Sequence, residues 1–325
     1  LGDVILTLPV LDKLCEVFPD CRVDYITKTQ YSPIIECHPA IGRIFTFKSG
    51  NEFRALAGEV FKNRYDYFID LQANFRSRFI GFRISNAKTI RYKKRRLARE
   101  LIVRRPGLGL SVEHTVKAYL KTFQKIGIEA EIKPPILHLP SEAIDFARGY
   151  YSDFGLNNKT VVALCPGARH HEKKWPWENY RDLAQRLFEL PDIAVLVFSA
   201  ASDNLPGDFG ITNSRLFQAR DLTLTMVAAL LSRCRAGVTN DSGLMHLANS
   251  VGVPVVAIFG PTNPRLGFAP TLQGSRVLCD NVACSPCSLH GQRKCHQPRK
   301  ICFDNITSER VFSEVKHILE RSNNH

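Results

Sequence analysis

The densest run of chemistry-bearing residues is Asn240-Asp241-Ser242-Gly243, followed one helical turn later by His246. An apolar run over 236–239 leads into these small polar residues, and helical spacing takes over from 244 to 250. A helix that starts on Asp241, Ser242 and Gly243 presents unpaired backbone N–H groups and the positive end of its dipole, which suits a phosphate. Asp241 can cap that helix or accept a ribose hydroxyl, Gly243 permits close approach of a ligand to the backbone, and His246 can reach the same ligand. An ordinary capped crossover helix has the same local pattern, so the surrounding chain must decide between the two. The loop 167–176 adds His170, His171, Lys173 and Lys174 just before a helix. A lysine there can pair with a diphosphate, or simply face solvent. Asp203, after Phe198-Ser199-Ala200, can hold a ribose, as acids do beyond the second strand of dinucleotide sites, or cap its own turn. Asp3 follows Gly2 in a turn, where a carboxylate can take a proton from an attacking hydroxyl or cap the first helix. Asn74, Arg76 and Ser77, beyond a strand that ends near Asp70, are candidate acceptor contacts.

The elements that must position these residues alternate. Strands are expected at 22–27, 44–47, 65–71 and 88–92. Helices are expected after a kink or late start at Pro9, at 31–37 and 53–63, from Asn74, and at 111–126. The stretch 129–140 holds three prolines and no helical period, and reads as an extended linker. The alternation then restarts, with strands at 160–164, 193–198, 236–239 and 255–259. Helices are expected at 141–154, 177–189, 223–232, 244–250 and 307–321. The expected class is α/β, with two successive units of mainly parallel sheet facing a cleft. The expected division is residues 1–133, 134–306 and a C-terminal helix 307–325. The chain opens in what the alternation makes the turn after a strand, so a preceding strand is expected before residue 1. Asp3, Asp70, Asn74, Lys173, Asp203 and Asp241 all fall at strand-to-helix turns, where ligands of such sheets bind.

A chain of 325 residues, 44% hydrophobic, is long enough for two such cores. No run of about 18 apolar residues suggests a membrane span. The opening residues lack the basic start and cleavage site of a signal peptide. The net charge of +13 is concentrated: between Arg83 and Arg105 there are ten Lys or Arg against one acid, Glu100. Such a stretch attracts polyanions, whether nucleic acid, anionic lipid or a phosphorylated substrate. It lacks interleaved aromatic platforms and any recognisable nucleic-acid module, so nucleic acid is not the expected partner. Neither G-x-G-x-x-G after a first strand, nor G-x-x-x-x-G-K-[ST], nor G-x-S-x-G is present, which removes support for NAD, ATP-hydrolysing and serine-hydrolase readings. Of ten cysteines, Cys279, Cys284, Cys287, Cys295 and Cys302 cluster. The spacing Cys284-x2-Cys287-x7-Cys295-x6-Cys302 can supply four thiolates to a structural zinc. Reduced thiols and a disulfide are the alternatives.

Several short motifs occur in order along the chain: Gly2-Asp3-Val4 with Thr7-Leu8-Pro9, Lys173-Lys174-Trp175-Pro176, Asn240-Asp241-Ser242-Gly243-Leu244-Met245-His246, and Phe259-Gly260-Pro261-Thr262. Together they resemble glycosyltransferase family 9, which holds the ADP-heptose:lipopolysaccharide heptosyltransferases. The resemblance implies a GT-B fold of two Rossmann-like domains, with acceptor on the first and nucleotide sugar on the second. It also implies inverting transfer of heptose from ADP-heptose to the lipopolysaccharide inner core. By motif, Asp3 resembles the family's catalytic base and Lys173 its diphosphate lysine. Asp241, Ser242 and Gly243 resemble the turn that holds the donor, with His246 following, and Asp203 is a looser match to an acidic ribose contact. The chain departs from some relatives at Ala168-Arg169, where they carry hydroxyl residues. On this reading no cofactor is required, since lysine and helix dipole supply the positive charge. The expected location is cytoplasmic, peripheral on the inner face of the inner membrane, and a monomer is the default state. A GT-B enzyme or epimerase using a UDP- or GDP-sugar is the alternative.

Overall fold

The computed structural model describes residues 1–84, 86–129, 131–203 and 209–321. In chain order the first elements are α1 (Gly2–Ile5), α2 (Leu8–Val17), β1 (Val23–Lys28), β2 (Ile41–Phe47), α3 (Gly50–Val60), β3 (Tyr67–Asp70), α4 (Phe75–Arg83) and β4 (Lys88–Arg91). Next come α5 (Arg96–Arg104), α6 (Thr115–Leu120), α7 (Ser141–Asp153), β5 (Thr160–Cys165), α8 (Trp177–Leu187), β6 (Ile193–Ser199), β7 (Leu216–Arg220) and α9 (Leu224–Leu231). The last are β8 (Ala236–Asn240), α10 (Gly243–Ser250), β9 (Val255–Phe259), β10 (Arg276–Cys279) and α11 (Ser308–Arg321). The chain divides into two compact units: Leu1, Asp3–Arg96 and Glu113–His138 form one, and Gly2, Leu97–Val112 and Leu139–His325 the other.

In the first unit, β1 pairs with β2 and β3 with β4, both in parallel, as two separate pairs. Pro9 sits in the first turn of α2, where its missing N–H costs nothing, so the helix starts late, as the proline predicts. The segment expected as a helix at 31–37 is a 3-10 turn, Thr29–Ile34, with Pro33 inside it. The helix expected over 111–126 is shorter. It covers Thr115–Leu120 and tightens into a 3-10 stretch, Lys121–Ile126, that ends at Gly127 with φ 76°. Its apolar side is as patterned, with Val116, Leu120 and Phe123 buried. Leu56, Val60 and Ile80 make a small core under β1–β3.

The second unit holds a six-stranded, all-parallel sheet in the order β10-β9-β8-β5-β6-β7. Its central strands, Val-Val-Ala-Leu-Cys in β5 and Val-Val-Ala-Ile-Phe in β9, are buried on both faces, as the unbroken apolar runs require. Chain progression reverses between β5 and its neighbour β8. That makes the carboxyl ends of these two strands the topological switch point, where the crossovers part and leave a crevice. α11 lays Val311, Val315 and Ile318 into the same core as Leu183 and Leu187 of α8, so the C-terminal helix is part of this unit. Residues 97–112, which the alternation places with the first half, also group here. Ile102 and Val112 pack with Leu266, and the Val112 N–H donates to the Arg265 carbonyl at 2.9 Å. The basic stretch is therefore divided: its residues up to Arg96 belong to the first unit and Arg99, Arg104 and Arg105 to the second. β7 and β10 are the edge strands of this sheet, where weak patterning suffices.

Candidate active site

The polar residues of the second unit converge on the carboxyl ends of β5 and β8. Asn240, fully buried at the end of β8, acts as a latch. Its side chain accepts from the Trp175 N–H at 2.9 Å and donates to the Pro166 carbonyl at 2.8 Å. Trp175 is 1% exposed, stacks edge-on to Tyr180 with centroids 4.8 Å apart, and donates its indole N–H to the Ile306 carbonyl at 2.9 Å. The Lys-Trp-Pro sequence thus has a mechanical sense: the tryptophan is a plug that pins the loop, and Pro176 ends it at the start of α8. Removing the latch leaves a backbone N–H and a carbonyl unpaired in a dry setting. Asn240→Ala is expected to cost about 2–3 kcal/mol in chemical unfolding while leaving the fold intact, as read by circular dichroism.

The pinned loop delivers two lysines. Lys173 Nζ lies 2.7 Å from Asp241 Oδ2, with both side chains largely covered. The Thr262 hydroxyl, from the loop after β9, donates to the same carboxylate oxygen at 2.6 Å. Lys174 Nζ lies 2.7 Å from Asp203 Oδ1, and Asp203 Oδ2 accepts from the Ala200 N–H at 3.0 Å. A Cβ at Gly167 would lie 2.6 Å from that carboxylate, so the Pro166-Gly167 turn comes this close only as glycine. Two acid–base pairs therefore stand side by side beyond the sheet. Burial, followed by the positive charges of Arg169 and Lys173, holds the His170 imidazole below the usual histidine range, so that ring is neutral at pH 7.

Asp241 does not cap α10, contrary to one reading of the sequence. Ser242 is the N-cap residue, extended at φ −142°, and its hydroxyl makes no capping bond. Ser242 Oγ is buried without a hydrogen-bond partner among the described residues. An unpaired buried hydroxyl beside free N–H groups at the positive end of a helix is a polar seat for an anion. Gly243 is the first helical residue and His246, 7% exposed, follows on the next turn.

In the first unit Asp3 is exposed, in the first turn of α1. The Tyr25 phenol near it bonds the Thr7 hydroxyl at 2.8 Å and is pushed up to about 12, chiefly by burial, with the negative charge of Asp3 adding to the rise. Tyr25 is therefore neutral at physiological pH. Asn74 and Ser77 are committed locally: each side chain accepts from the other's backbone N–H at 3.0 Å, a reciprocal cap on α4. Arg76 lies over the rings of Phe47 and Phe53, 6.0 and 5.7 Å from their centroids. Asp70 is buried and structural: it pairs with Arg91 at 2.8 Å across β3 and β4 and accepts from the Ala73 N–H at 2.7 Å.

Cys284, Cys287, Cys295 and Cys302 line a single pocket, together with Glu172, Arg293, His296 and Lys300. Burial pushes the Cys302 thiol up to about 12, and neighbouring Cys287, Cys284 and Cys295 add to the rise. The loop also buttresses the polar site. The Cys287 and Ser288 N–H groups donate to the Pro261 carbonyl at 3.0 and 3.2 Å, Ser285 Oγ donates to the Gly260 carbonyl at 2.8 Å, and Lys300 Nζ donates to the His171 carbonyl at 2.9 Å. Among the described residues, three metal-donor atoms come within 4.8 Å of one another at Asp12, His38 and His138, not at the cysteines. The histidine set is nevertheless a poor ligand set. His38 Nδ1 accepts from the Ala40 N–H at 3.2 Å, so the neutral ring carries its proton on Nε2, aimed at Asp12 Oδ1 3.1 Å away. No lone pair is left on Nε2 for a metal.

Lys174, Asn240 and Thr262 are site residues that sequence reasoning quoted within motifs without giving them roles. Asn240 immediately precedes the Asp241 turn, and a buried amide at a strand end is a signal that the backbone nearby needs a partner.

Residues 53–296 match the family model described as glycosyltransferase family 9 (heptosyltransferase). Lipopolysaccharide heptosyltransferase 1 of Pseudomonas aeruginosa is 27% identical over 357 residues, covering 98% of this chain and 95% of that protein. Among solved structures, a family 9 glycosyl transferase from Veillonella parvula superposes with a TM-score of 0.80 at 22% identity, covering 98% of this chain and 94% of that one. The E. coli ADP-heptose lps heptosyltransferase II superposes at 0.72 and 20% identity, covering 99% and 96%. The α/β arrangement with parallel sheets is that of the GT-B fold, as expected from the motifs.

Proposed function

The chain belongs to glycosyltransferase family 9, and on that premise we propose that it transfers a heptose, with inversion, from ADP-heptose to the lipopolysaccharide inner core. The observation that carries the reading is the site at the switch point of the second unit. There the Ser242 hydroxyl at the start of α10, without a partner among the described residues, stands beside the Lys173–Asp241 pair. In the proposed reaction the acceptor hydroxyl loses its proton to Asp3 as its oxygen bonds to the anomeric carbon. The bond from that carbon to the diphosphate breaks, and negative charge collects on the departing ADP. Lys173 and the helix N-terminus, with Ser242 and Gly243, stabilise that charge. Asp203 takes a ribose hydroxyl while Lys174 orients it, and His246 lies near the sugar. Arg76, lying on its aromatic shelf, is the acceptor contact that keeps a free charge. The reaction needs no cofactor. The enzyme works on the cytoplasmic side, at the inner face of the inner membrane, where such an acceptor is presented. A donor bearing a different base is the competing reading. A thermal-shift panel of ADP, UDP and GDP separates them: ADP alone is expected to raise the melting temperature, whereas a larger shift with UDP or GDP would redirect the assignment.

We further propose that Cys284, Cys287, Cys295 and Cys302 hold a structural metal. The donor chemistry fits: soft thiolates suit zinc or iron, and Arg293 and Lys300 offset the negative charge left over. The span between β10 and α11 has little regular structure, apart from the 3-10 turn Ile301–Phe303, and would gain order from a cross-link. Elemental analysis of protein purified without added metal is expected to find about one zinc or iron per chain. Cys284→Ser/Cys295→Ser should lose that metal and melt several degrees lower. Metal-free wild type with four freely titrating thiols in this loop would refute the site.

A further inference from the structure

α4 presents an aromatic stripe to solvent. Phe75 is 92% exposed, Phe82 86% and Phe79 48%. At 3.6 residues per turn these three positions fall within an arc of roughly 60° on the helix surface. The opposite side does the packing: Ile80 is 2% exposed, and a Cβ at Gly81 would lie 2.6 Å from the Phe68 ring. The helix is thus held firmly by one face, and its bulkiest apolar groups lie on the other. Exposed phenylalanines this complete are uncommon on a surface with no partner, because each leaves a whole ring in water.

The stripe is flanked by charge of one sign. Arg76 and Arg83 stand on one side and Arg78 on the other, all exposed. Arg83 lies over the rings of Phe61 and Phe79, at 5.4 and 5.9 Å from their centroids, so aromatic and cationic groups form one continuous surface. No Asp or Glu occurs between Asp70 and Glu100. A second protein chain would ordinarily meet a mixture of signs. An apolar stripe bordered only by arginines complements a surface that is anionic at its head groups and apolar just beneath them. In the second unit, α5 also exposes leucines, Leu97 at 83% and Leu101 at 44%, but with Glu100 among its arginines.

We propose that α4 is a membrane-docking helix that lies in the interface of an anionic bilayer, with Phe75, Phe79 and Phe82 inserted between head groups and Arg78 and Arg83 on the lipid phosphates. The proposal deepens the reading of an enzyme acting at a membrane face. It is tested on vesicles that contain no sugar acceptor, so its outcome is independent of whether heptose transfer is observed.

The experiment is flotation of the full chain with vesicles of phosphatidylcholine alone, or with about one-third phosphatidylglycerol added. The wild type should float with the anionic vesicles and not with the neutral ones, and the bound fraction should fall as salt rises. Phe75→Ser/Phe82→Ser should reduce partitioning about tenfold or more, with melting temperature and ADP-induced thermal shift unchanged. Equal flotation of the variant and the wild type would overturn the proposal, as would absence of flotation in the wild type. A concentration-dependent dimer in sedimentation, lost in the double variant and accompanied by no vesicle binding, would also overturn it, by giving the stripe to a second copy of the chain.

Discussion

Asp3→Asn is expected to lower kcat by about a hundred- to ten-thousand-fold, the range that a positioned general base contributes, while ADP affinity and melting temperature stay at wild-type values. The two halves of that expectation have separate physical sources. Asp3 is exposed in the first turn of α1, so losing its charge removes no buried partner. The proposed donor seat belongs to the other unit of the chain, in Lys173, Ser242 and Gly243. The neighbouring Tyr25 cannot replace the lost base, because burial keeps its phenol protonated up to about 12. Steady-state kinetics with a saturating acceptor, alongside ADP titration by calorimetry, checks both halves. A variant within a few-fold of wild-type kcat would remove Asp3 from the chemistry.

Lys173→Met should act on stability and turnover together, and the two effects can be separated. The substitution leaves the Asp241 carboxylate, largely covered, with only the Thr262 hydroxyl in place of an ammonium 2.7 Å away. Unfolding free energy should fall by about 1–3 kcal/mol, less than for a fully buried pair because both partners keep some contact with water. kcat/KM should fall about a hundred- to a thousand-fold, because the cation aimed at the leaving diphosphate is gone. Adding Asp241→Asn removes the stranded charge. The double variant is therefore expected to regain most of the lost stability and none of the lost turnover. Lys174→Met is the matched control: it breaks the analogous pair with Asp203 and should weaken nucleotide binding more than it slows transfer. If instead the double variant recovers activity, Lys173 serves the fold and not the reaction.

The sequence and the structure agree where one physical requirement dominates a stretch. The runs in β5, β6, β8 and β9 are apolar throughout because both faces are covered, and each was readable as a buried strand. The start of α10 was readable because small polar residues before an apolar period have few other uses. What escaped the sequence depends on residues far apart in the chain. Asp241 looked like a cap, but Thr262 and Lys173 claim its carboxylate, from loops 21 and 68 positions away. Asn74 and Ser77 looked free to meet an acceptor, yet they cap one another, a pattern as local as any and one that polar composition disguised. Residues 97–112 have apolar side chains of their own, but nothing local says which unit they join, and the answer lies in the distant Leu266. The four cysteines line one pocket, while their spacing alone left the bonding open.

Transfer itself is the most direct test. The wild type is incubated with ADP-heptose and defined lipopolysaccharides truncated before and after the first inner-core heptose, and the product is read by mass spectrometry with ADP release followed in parallel. The expected result is one of these acceptors made heavier by one heptose, ADP released in equal amount, and neither product with Asp3→Asn. Consumption of a UDP- or GDP-sugar with ADP-heptose left intact, or transfer that survives loss of Asp3 unchanged, would contradict the assignment of donor and base made from this site.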